Sequence, residues 1–196
     1  YTRFVGYYES LAKQNDVKAL YQLGQFYEND SIVRRDYGKA IYYFELAAKQ
    51  KHISSIHRLA TIYEEGIYVK KDIPRSIYYS EILVKENDLD SIFRLATFYE
   101  SGEGVKQDYL KAIEYYELLV RHFDGDAAYK LGLFYENGKG VERNLDKAIE
   151  YYEIAAQYMN SDAFLKLGSF HEEGKKYPQN YIKAIECYES SAELDN

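Results

Sequence analysis

The side chains best suited to chemistry in this 196-residue chain are four histidines, one cysteine, a set of glycine-rich turns and 24 tyrosines. Catalysis needs a nucleophile, a base or metal ligands converging on one place. His52, His57, His122 and His171 are scattered, and no second histidine turns His171-Glu172 into the metal-binding H-E-x-x-H pattern. Cys187 stands alone, so neither a cysteine-based zinc site nor an internal disulfide can be built. Gly102-Glu103-Gly104 and Gly138-Lys139-Gly140 follow no strand and precede no Gly-Lys-Ser/Thr, which a phosphate cradle requires. The residues therefore predict no catalytic, cofactor-binding or metal-binding site, and no enzyme.

The tyrosines fall in columns, and the columns reveal the architecture. From Leu131-Gly132, steps of 36 residues reach Leu95-Ala96, Leu59-Ala60 and Leu23-Gly24 in one direction and Leu167-Gly168 in the other. The same stride links Tyr27, Tyr63, Tyr99, Tyr135 and His171, and links Ile41, Ile77, Ile113, Ile149 and Ile185. His171 thus replaces a packing tyrosine, and Cys187, in the column of Tyr43, Tyr79, Tyr115 and Tyr151, is expected to be a small buried apolar substitute. Unbroken periodicity of this length marks stacked supersecondary units, none of which can bury its apolar face alone. A single solenoid domain is expected over 1–196: a half repeat at 1–15, which supplies a second helix only, then repeats at 16–51, 52–87, 88–123, 124–159 and 160–196.

Within repeat four, Ala128, Leu131, Gly132 and Tyr135 form one stripe of a helix beginning near Gly125. Asn137-Gly138-Lys139-Gly140 stops it, and Asn144 starts the second helix, whose buried stripe is Ala148, Ile149, Tyr152 and Ala156. First helices begin at Asp16, His52, Asp88, Asp124 and Asn160, second helices at Asp36, Asp72, Asp108, Asn144 and Asn180. Nine of these ten are the carboxylate or amide side chains that cap a helix start. Small residues (Gly24, Ala60, Ala96, Gly132, Gly168; Ala40, Ser76, Ala112, Ala148, Ala184) mark close helix contacts. The turns drift in chemistry at constant length: Tyr68 replaces the second glycine in repeat two, repeat five reads Gly174-Lys175-Lys176-Tyr177-Pro178, and repeat one has Asp30 and Ile32.

Two charged columns remain. Glu28, Glu64, Glu100, Glu136 and Glu172 stand at first-helix C-termini, and Lys39, Arg75, Lys111, Lys147 and Lys183 at second-helix N-termini, each opposed by the helix dipole. Mutual compensation across the turn is expected, as Glu100 with Lys111 and Glu136 with Lys147. At the C-terminal end Ser190 and Ser191 replace apolar residues, which predicts a polar outer face and an array ending at or soon after Asn196.

The net charge of −7 argues against a polyanionic partner, and the Glu column denies phosphate a cationic path, so RNA binding of the kind seen in other helical repeats is disfavoured. No apolar run is long enough to insert in a membrane. A chain that opens on Tyr1 rather than Met is expected to be processed or part of something longer, so a missing signal peptide says nothing. Asn29-Asp30-Ser31 is a formal glycosylation acceptor.

Leu-Gly, a tyrosine three residues on, Gly-x-Gly-Val, Asp-x-x-Lys-Ala, Tyr-Tyr and a small-residue pair together resemble the Sel-1-like repeat, a relative of the tetratricopeptide repeat. Repeat four carries the pattern nearly throughout, from Ala127 to Ala156. The resemblance implies a right-handed α/α solenoid of helix–turn–helix units acting as a non-enzymatic scaffold or adaptor within larger assemblies. It leaves the compartment open between cytoplasm and secretory lumen or periplasm. The Helicobacter cysteine-rich proteins are similar in pattern but use two cysteines per helix pair, and this chain has one in all. First helices of such arrays line the concave side. There the column Tyr21, His57, Phe93, Tyr129, Leu165, flanked by Gln25, Thr61, Thr97, Leu133 and Ser169, is aromatic-rich yet varies between repeats. The residues expected to bind a partner are Tyr21, His57, Phe93, Tyr129, Gln25, Thr61, Thr97 and Leu133, with a polypeptide segment anchored on Phe93 and Tyr129 and Lys or Arg favoured by the adjacent Glu column. The alternative is a structural subunit held by its convex face or loops.

Overall fold

The structure is a computed structural model that describes residues 2–29 and 34–194. Asp30 and Ile32 of the first turn, the Asp30-Ser31 half of the glycosylation acceptor, and Asn196 lie outside the described residues. Those residues form eleven helices and no strand. α1 (Thr2–Lys13) is the second helix of the half repeat. The pairs α2 (Val17–Glu28) with α3 (Tyr37–Lys49), α4 (Ile53–Glu65) with α5 (Ile73–Val84), α6 (Leu89–Ser101) with α7 (Tyr109–Val120), α8 (Gly125–Asn137) with α9 (Leu145–Gln157), and α10 (Ser161–Glu173) with α11 (Tyr181–Leu194) follow. The arrangement is an all-α helical-repeat solenoid. Its contacts group into two compact units, residues 1–91 and 92–196. In the first unit each helix from α1 to α5 packs on the next, and in the second the same holds from α7 to α11.

The starts of α2 to α11 are specified locally. Asp16, Asp124 and Asn160 each accept the backbone N–H three residues on at 2.8 Å, and Asp88 does the same for Ser91. Asp36, Asp72, Asp108, Asn144 and Asn180 cap the second helices at 3.0–3.1 Å. His52 caps too: its Nδ1 accepts the Ser55 N–H at 3.3 Å and lies 3.0 Å from the Ser55 hydroxyl. Burial lowers the His52 pKa below its ordinary 6.5, and protonating Nδ1 removes the acceptor. Stability from this cap is therefore fully present above pH ~6.5 and is lost as pH falls through the depressed folded value. Urea midpoints measured at pH 7.5 and pH 5 should differ less for His52→Asp than for the parent, because Asp caps at both.

The turn keeps its length because one hydrogen bond recurs in every repeat. The N–H of the second-helix cap donates to the carbonyl nine residues back: Asp36 to Tyr27, Asp72 to Tyr63, Asp108 to Tyr99, Asn144 to Tyr135 and Asn180 to His171, all at 2.8–2.9 Å. In repeats two to five the chain takes two left-handed residues between these anchors. The first is Gly66, Gly102, Gly138 or Gly174; the second is Gly104 or Gly140, but Tyr68 (φ 67°) and Lys176 (φ 66°) in repeats two and five. Both exceptions gain a partner where glycine has none. Tyr68 stacks on Tyr37 with centroids 3.4 Å apart, and Lys176 forms an ion pair with Asp146.

Between the paired helices the small-residue column receives an aromatic ring. A Cβ on Gly132 would lie 2.4 Å from the Tyr152 ring, and one on Gly24 2.4 Å from the Phe44 ring. Phe44, Tyr116 and Tyr152 are fully buried as a result. Repeat two departs from this, with Ser80 in the ring position and Ser76 where the other repeats carry alanine. Both serines are 0% exposed, and neither hydroxyl has a hydrogen-bond partner among the described residues. A buried orphan hydroxyl costs about 1–3 kcal/mol. Ser76→Ala, which also raises helix propensity, should stabilise the protein by about 1 kcal/mol, read as a higher urea midpoint with unchanged slope.

The C-terminal end differs from expectation. Ser191 is 2% exposed, in the slot of the fully buried Ala47, Leu83, Leu119 and Ala155, so it does not make an outer face polar. The exposed side chains of α11 include Tyr181, Ile182 and Ile185.

Candidate functional site

The aromatic column of the first helices sits on the rings of the second helices. In the first unit, Tyr21 packs against Phe44 (5.8 Å) and the capping His52 (4.7 Å), and its hydroxyl accepts from Gln25 Nε2 at 3.0 Å. His57 Nε2 lies 2.8 Å from Asp88 Oδ1, and the Thr61 hydroxyl donates to the His57 carbonyl. In the second unit, Phe93 meets Tyr116 edge-on at 5.9 Å and Tyr129 tilts onto Tyr152 at 5.6 Å. The Thr97 hydroxyl donates to the Arg94 carbonyl, and Leu133 packs beside the core. All eight residues are half-buried. Each aromatic is fixed by packing against a ring and left partly exposed. Tyr129 is held neutral: burial raises its hydroxyl pKa, helped by Asp162 and Glu136.

Glu28, Glu100 and Glu136 find their partners in the next repeat and not across the turn. Glu100 reaches the next repeat, where Lys130 Nζ lies 3.2 Å away, and Glu136 likewise meets Lys166 at 2.9 Å. In the first unit Glu28, 8% exposed, accepts from Arg58 at 2.6–2.7 Å. Each partner lies 30 residues on. The same carboxylates accept a buried tyrosine hydroxyl from their own repeat, Tyr116 to Glu100 at 2.7 Å and Tyr152 to Glu136 at 2.5 Å. Burial and then that carboxylate raise both tyrosine pKa values. Burial alone would raise the Glu136 pKa too, but hydrogen bonds from Tyr152 and Lys166 outweigh it and hold the carboxyl below its ordinary 4.5.

The cations at the second-helix N-termini sit over aromatic faces instead. Lys39, Arg75, Lys111 and Lys147 lie 4.7–5.0 Å from the ring centroids of Tyr27, Tyr63, Tyr99 and Tyr135. Each of those rings also stacks on Tyr43, Tyr79, Tyr115 or Tyr151 at 5.6–6.0 Å. The geometric reason is helical: the cation and the stacking tyrosine are four residues apart on one second-helix face. The ring between them was the nearer partner, worth about 0.5–1 kcal/mol per cation–π contact. The basic column Arg58, Lys130, Lys166 was visible at the 36-residue stride; only the superposition of successive repeats shows that it meets the glutamates.

Two other candidates for chemistry, His171 and Cys187, stand in packing columns. His171 stacks on Tyr177 at 4.5 Å, and burial lowers its pKa. Cys187 is half-buried, as are Tyr43, Tyr79, Tyr115 and Tyr151 in its column, and burial raises its thiol pKa. Among the described residues no group of histidine, cysteine and carboxylate side chains could hold a metal ion. No described helix is long and apolar enough to cross a membrane.

Comparison with known proteins agrees with this architecture. The Sel1 repeat profile matches residues 17–52, 53–88, 89–121, 125–157 and 161–196. No curated protein sequence matches. The structure is similar to a Sel1 repeat protein from Oxalobacter formigenes, 29% identical, over 93% of this chain and 74% of that one, with a TM-score of 0.73. It is also similar to a protective antigen of uropathogenic Escherichia coli with the SLR fold (TM-score 0.79, 23% identity, 96% of this chain but 40% of that one), a likeness of fold alone. Cysteine-rich protein B of Helicobacter pylori is 29% identical over 65% of this chain and 92% of its own, with a TM-score of 0.51. Sel1 repeat proteins are generally protein-interaction scaffolds, and their fold is typically non-catalytic. With five matched repeats and the fold to go with them, this chain belongs to the Sel1 repeat family.

Proposed function

We propose that the protein is a non-enzymatic adaptor that holds a segment of another polypeptide against its first helices, with Phe93 and Tyr129 as anchors in the second unit. The observation behind this reading is the seating of those two rings. Each is braced edgewise or at a tilt by a fully buried tyrosine, Tyr116 or Tyr152, and is itself only half-buried. Aromatics held rigid before binding lose little entropy when a ligand covers them, and such residues dominate binding energy. Tyr21 and His57 offer the first unit an analogous but more polar surface. The engagement of Glu28, Glu100 and Glu136 with Arg58, Lys130 and Lys166 neutralises three members of the carboxylate column. Selection for a basic ligand is therefore weaker in this reading than the column alone implies, and apolar contact carries the affinity.

Crosslinking and mass spectrometry on the native full-length protein would identify the partner and the contacted face together. Phe93→Ala with Tyr129→Ala should then weaken capture by tenfold or more while helical circular dichroism is retained. Unchanged capture by a folded double variant overturns the assignment. A second reading, a subunit held by its second-helix face, has its own observation: Tyr42 and Tyr78, 36 residues apart on α3 and α5, are 56% and 60% exposed. Loss of capture on Tyr42→Ala with Tyr78→Ala, and not on the first pair, selects that face.

A further inference from the structure

The second helices of the first unit carry the same groove twice. Glu9, Ala12 and Lys13 of α1 face Tyr42, Tyr43 and Leu46 of α3 across one groove. Across the next, Glu45, Ala48 and Lys49 of α3 face Tyr78, Tyr79 and Ile82 of α5. These six positions recur at the 36-residue stride with only Leu46 and Ile82 differing in type. Tyr42 and Tyr78 are 56% and 60% exposed, and each stands edge-on to the inner tyrosine beside it, Tyr43 at 5.3 Å and Tyr79 at 5.2 Å. The inner rings stack in turn on Tyr27 and Tyr63, so the exposed rings rest on a packed support. Later repeats fill the slot of Tyr42 and Tyr78 with Glu114, Glu150 and Glu186. Glutamate therefore satisfies folding at this position, and an aromatic wall in two neighbouring repeats calls for a ligand.

The polar groups of the grooves define that ligand. Both carboxylates already accept a tyrosine hydroxyl from the following repeat, Glu9 from Tyr27 at 3.3 Å and Glu45 from Tyr63 at 3.1 Å. The groups left on exposed residues can all donate: the hydroxyls of Tyr42 and Tyr78 and the ammonium groups of Lys13 and Lys49. A run of prolines is the polypeptide stretch that offers carbonyl acceptors and no N–H, and proline-rich segments dock in aromatic-lined grooves. Each groove holds one Glu and one Lys, a net charge of zero that suits an uncharged segment. Spacing points the same way. Polyproline II has three residues per turn, so every third residue returns to one side after about 9 Å. Packed neighbouring helices lie about 8–10 Å apart. An extended strand repeats after about 7 Å and falls out of step.

We propose that this second-helix face binds a proline-rich segment of a partner protein in the polyproline II conformation. The segment lies across α1, α3 and α5, with prolines three apart seated against Tyr42 and Tyr78 and its carbonyls accepting from the hydroxyl and ammonium donors. This role for Tyr42 and Tyr78 rests on the second of the two readings above, in which the second-helix face is the contact surface. It leaves the first-helix column to its own ligand.

A fluorescein-labelled oligoproline long enough to reach both grooves is the probe. Titration with the full chain should raise its anisotropy to saturation, and a Gly-Ser peptide of equal length should not bind. Tyr42→Glu with Tyr78→Glu installs the side chain that later repeats carry at these exposed positions. Its helical circular dichroism should match the parent while oligoproline binding falls about tenfold or more. Either single substitution should cost less, because one groove remains to hold the peptide. Tyr42→Phe with Tyr78→Phe, which keeps the rings and removes two donors, should fall between the parent and the double Glu variant. Absence of saturable binding, equal binding of the Gly-Ser peptide, or binding indifferent to the double Glu variant overturns the proposal. Partner capture that depends on Tyr42 and Tyr78 without any oligoproline binding also overturns it, and leaves the second-helix face standing as a contact surface for a different ligand.

Discussion

Tyr152→Ala should cost about 3–5 kcal/mol, the range for removing a large aromatic from a packed interior. The ring is 0% exposed and lies against Gly132, which has no side chain to move into the vacated space. It also supports Tyr129 on one side and Phe170 of the next repeat on the other. The loss should therefore appear in two repeats at once. Tyr152→Phe separates the hydroxyl from the ring. It keeps the packing and forfeits only the 2.5 Å bond to Glu136, so about 1.5–3 kcal/mol is expected for a hydrogen bond to a charged group. Urea denaturation of both variants, followed by helical circular dichroism, checks the order. Equal losses for Ala and Phe would mean that the ring itself contributes little.

Glu136→Ala should cost about 2–3 kcal/mol, because it leaves two donors stranded. The buried Tyr152 hydroxyl loses its acceptor, and the Lys166 ammonium, a third exposed, loses its counter-ion. Lys166→Ala should cost less, since Glu136 keeps Tyr152. The difference is a test of direction as well as size: were the carboxylate paired with Lys147 instead, Lys147→Ala would show the larger effect. The pH dependence follows from the same contacts. The folded Glu136 pKa lies below its ordinary 4.5, so its contribution is fully present above that value and is lost as pH falls through the folded one. The parent protein should lose stability over this acid range more steeply than Glu136→Ala. Parallel acid limbs for the two proteins would show that the Glu136 contacts do not titrate with folding.

The fold was legible in the sequence because its determinants are local and repeated. A cap such as Asn144 acts on the amide three residues away, and a turn such as Gly138 on its own backbone, so residue type at one position suffices to read them. Periodicity did the rest, since Ile113 and Ile149 at one stride must share one environment. The sequence by itself also placed Phe93 and Tyr129 on a common helix face. The partners of the charged residues were a matter for tertiary structure. Glu136 has Lys147 nearer in sequence, yet Lys166, 30 residues on, is its partner, because stacking one repeat on the next brings those two faces together and leaves Lys147 over the Tyr135 ring. Exposure at the end of a column was decided the same way. Ile149 and Ile185 have the same residue type and the same helical position, but burial belongs to what lies opposite: α10 packs across that face of α9, and among the described residues no helix packs across it on α11.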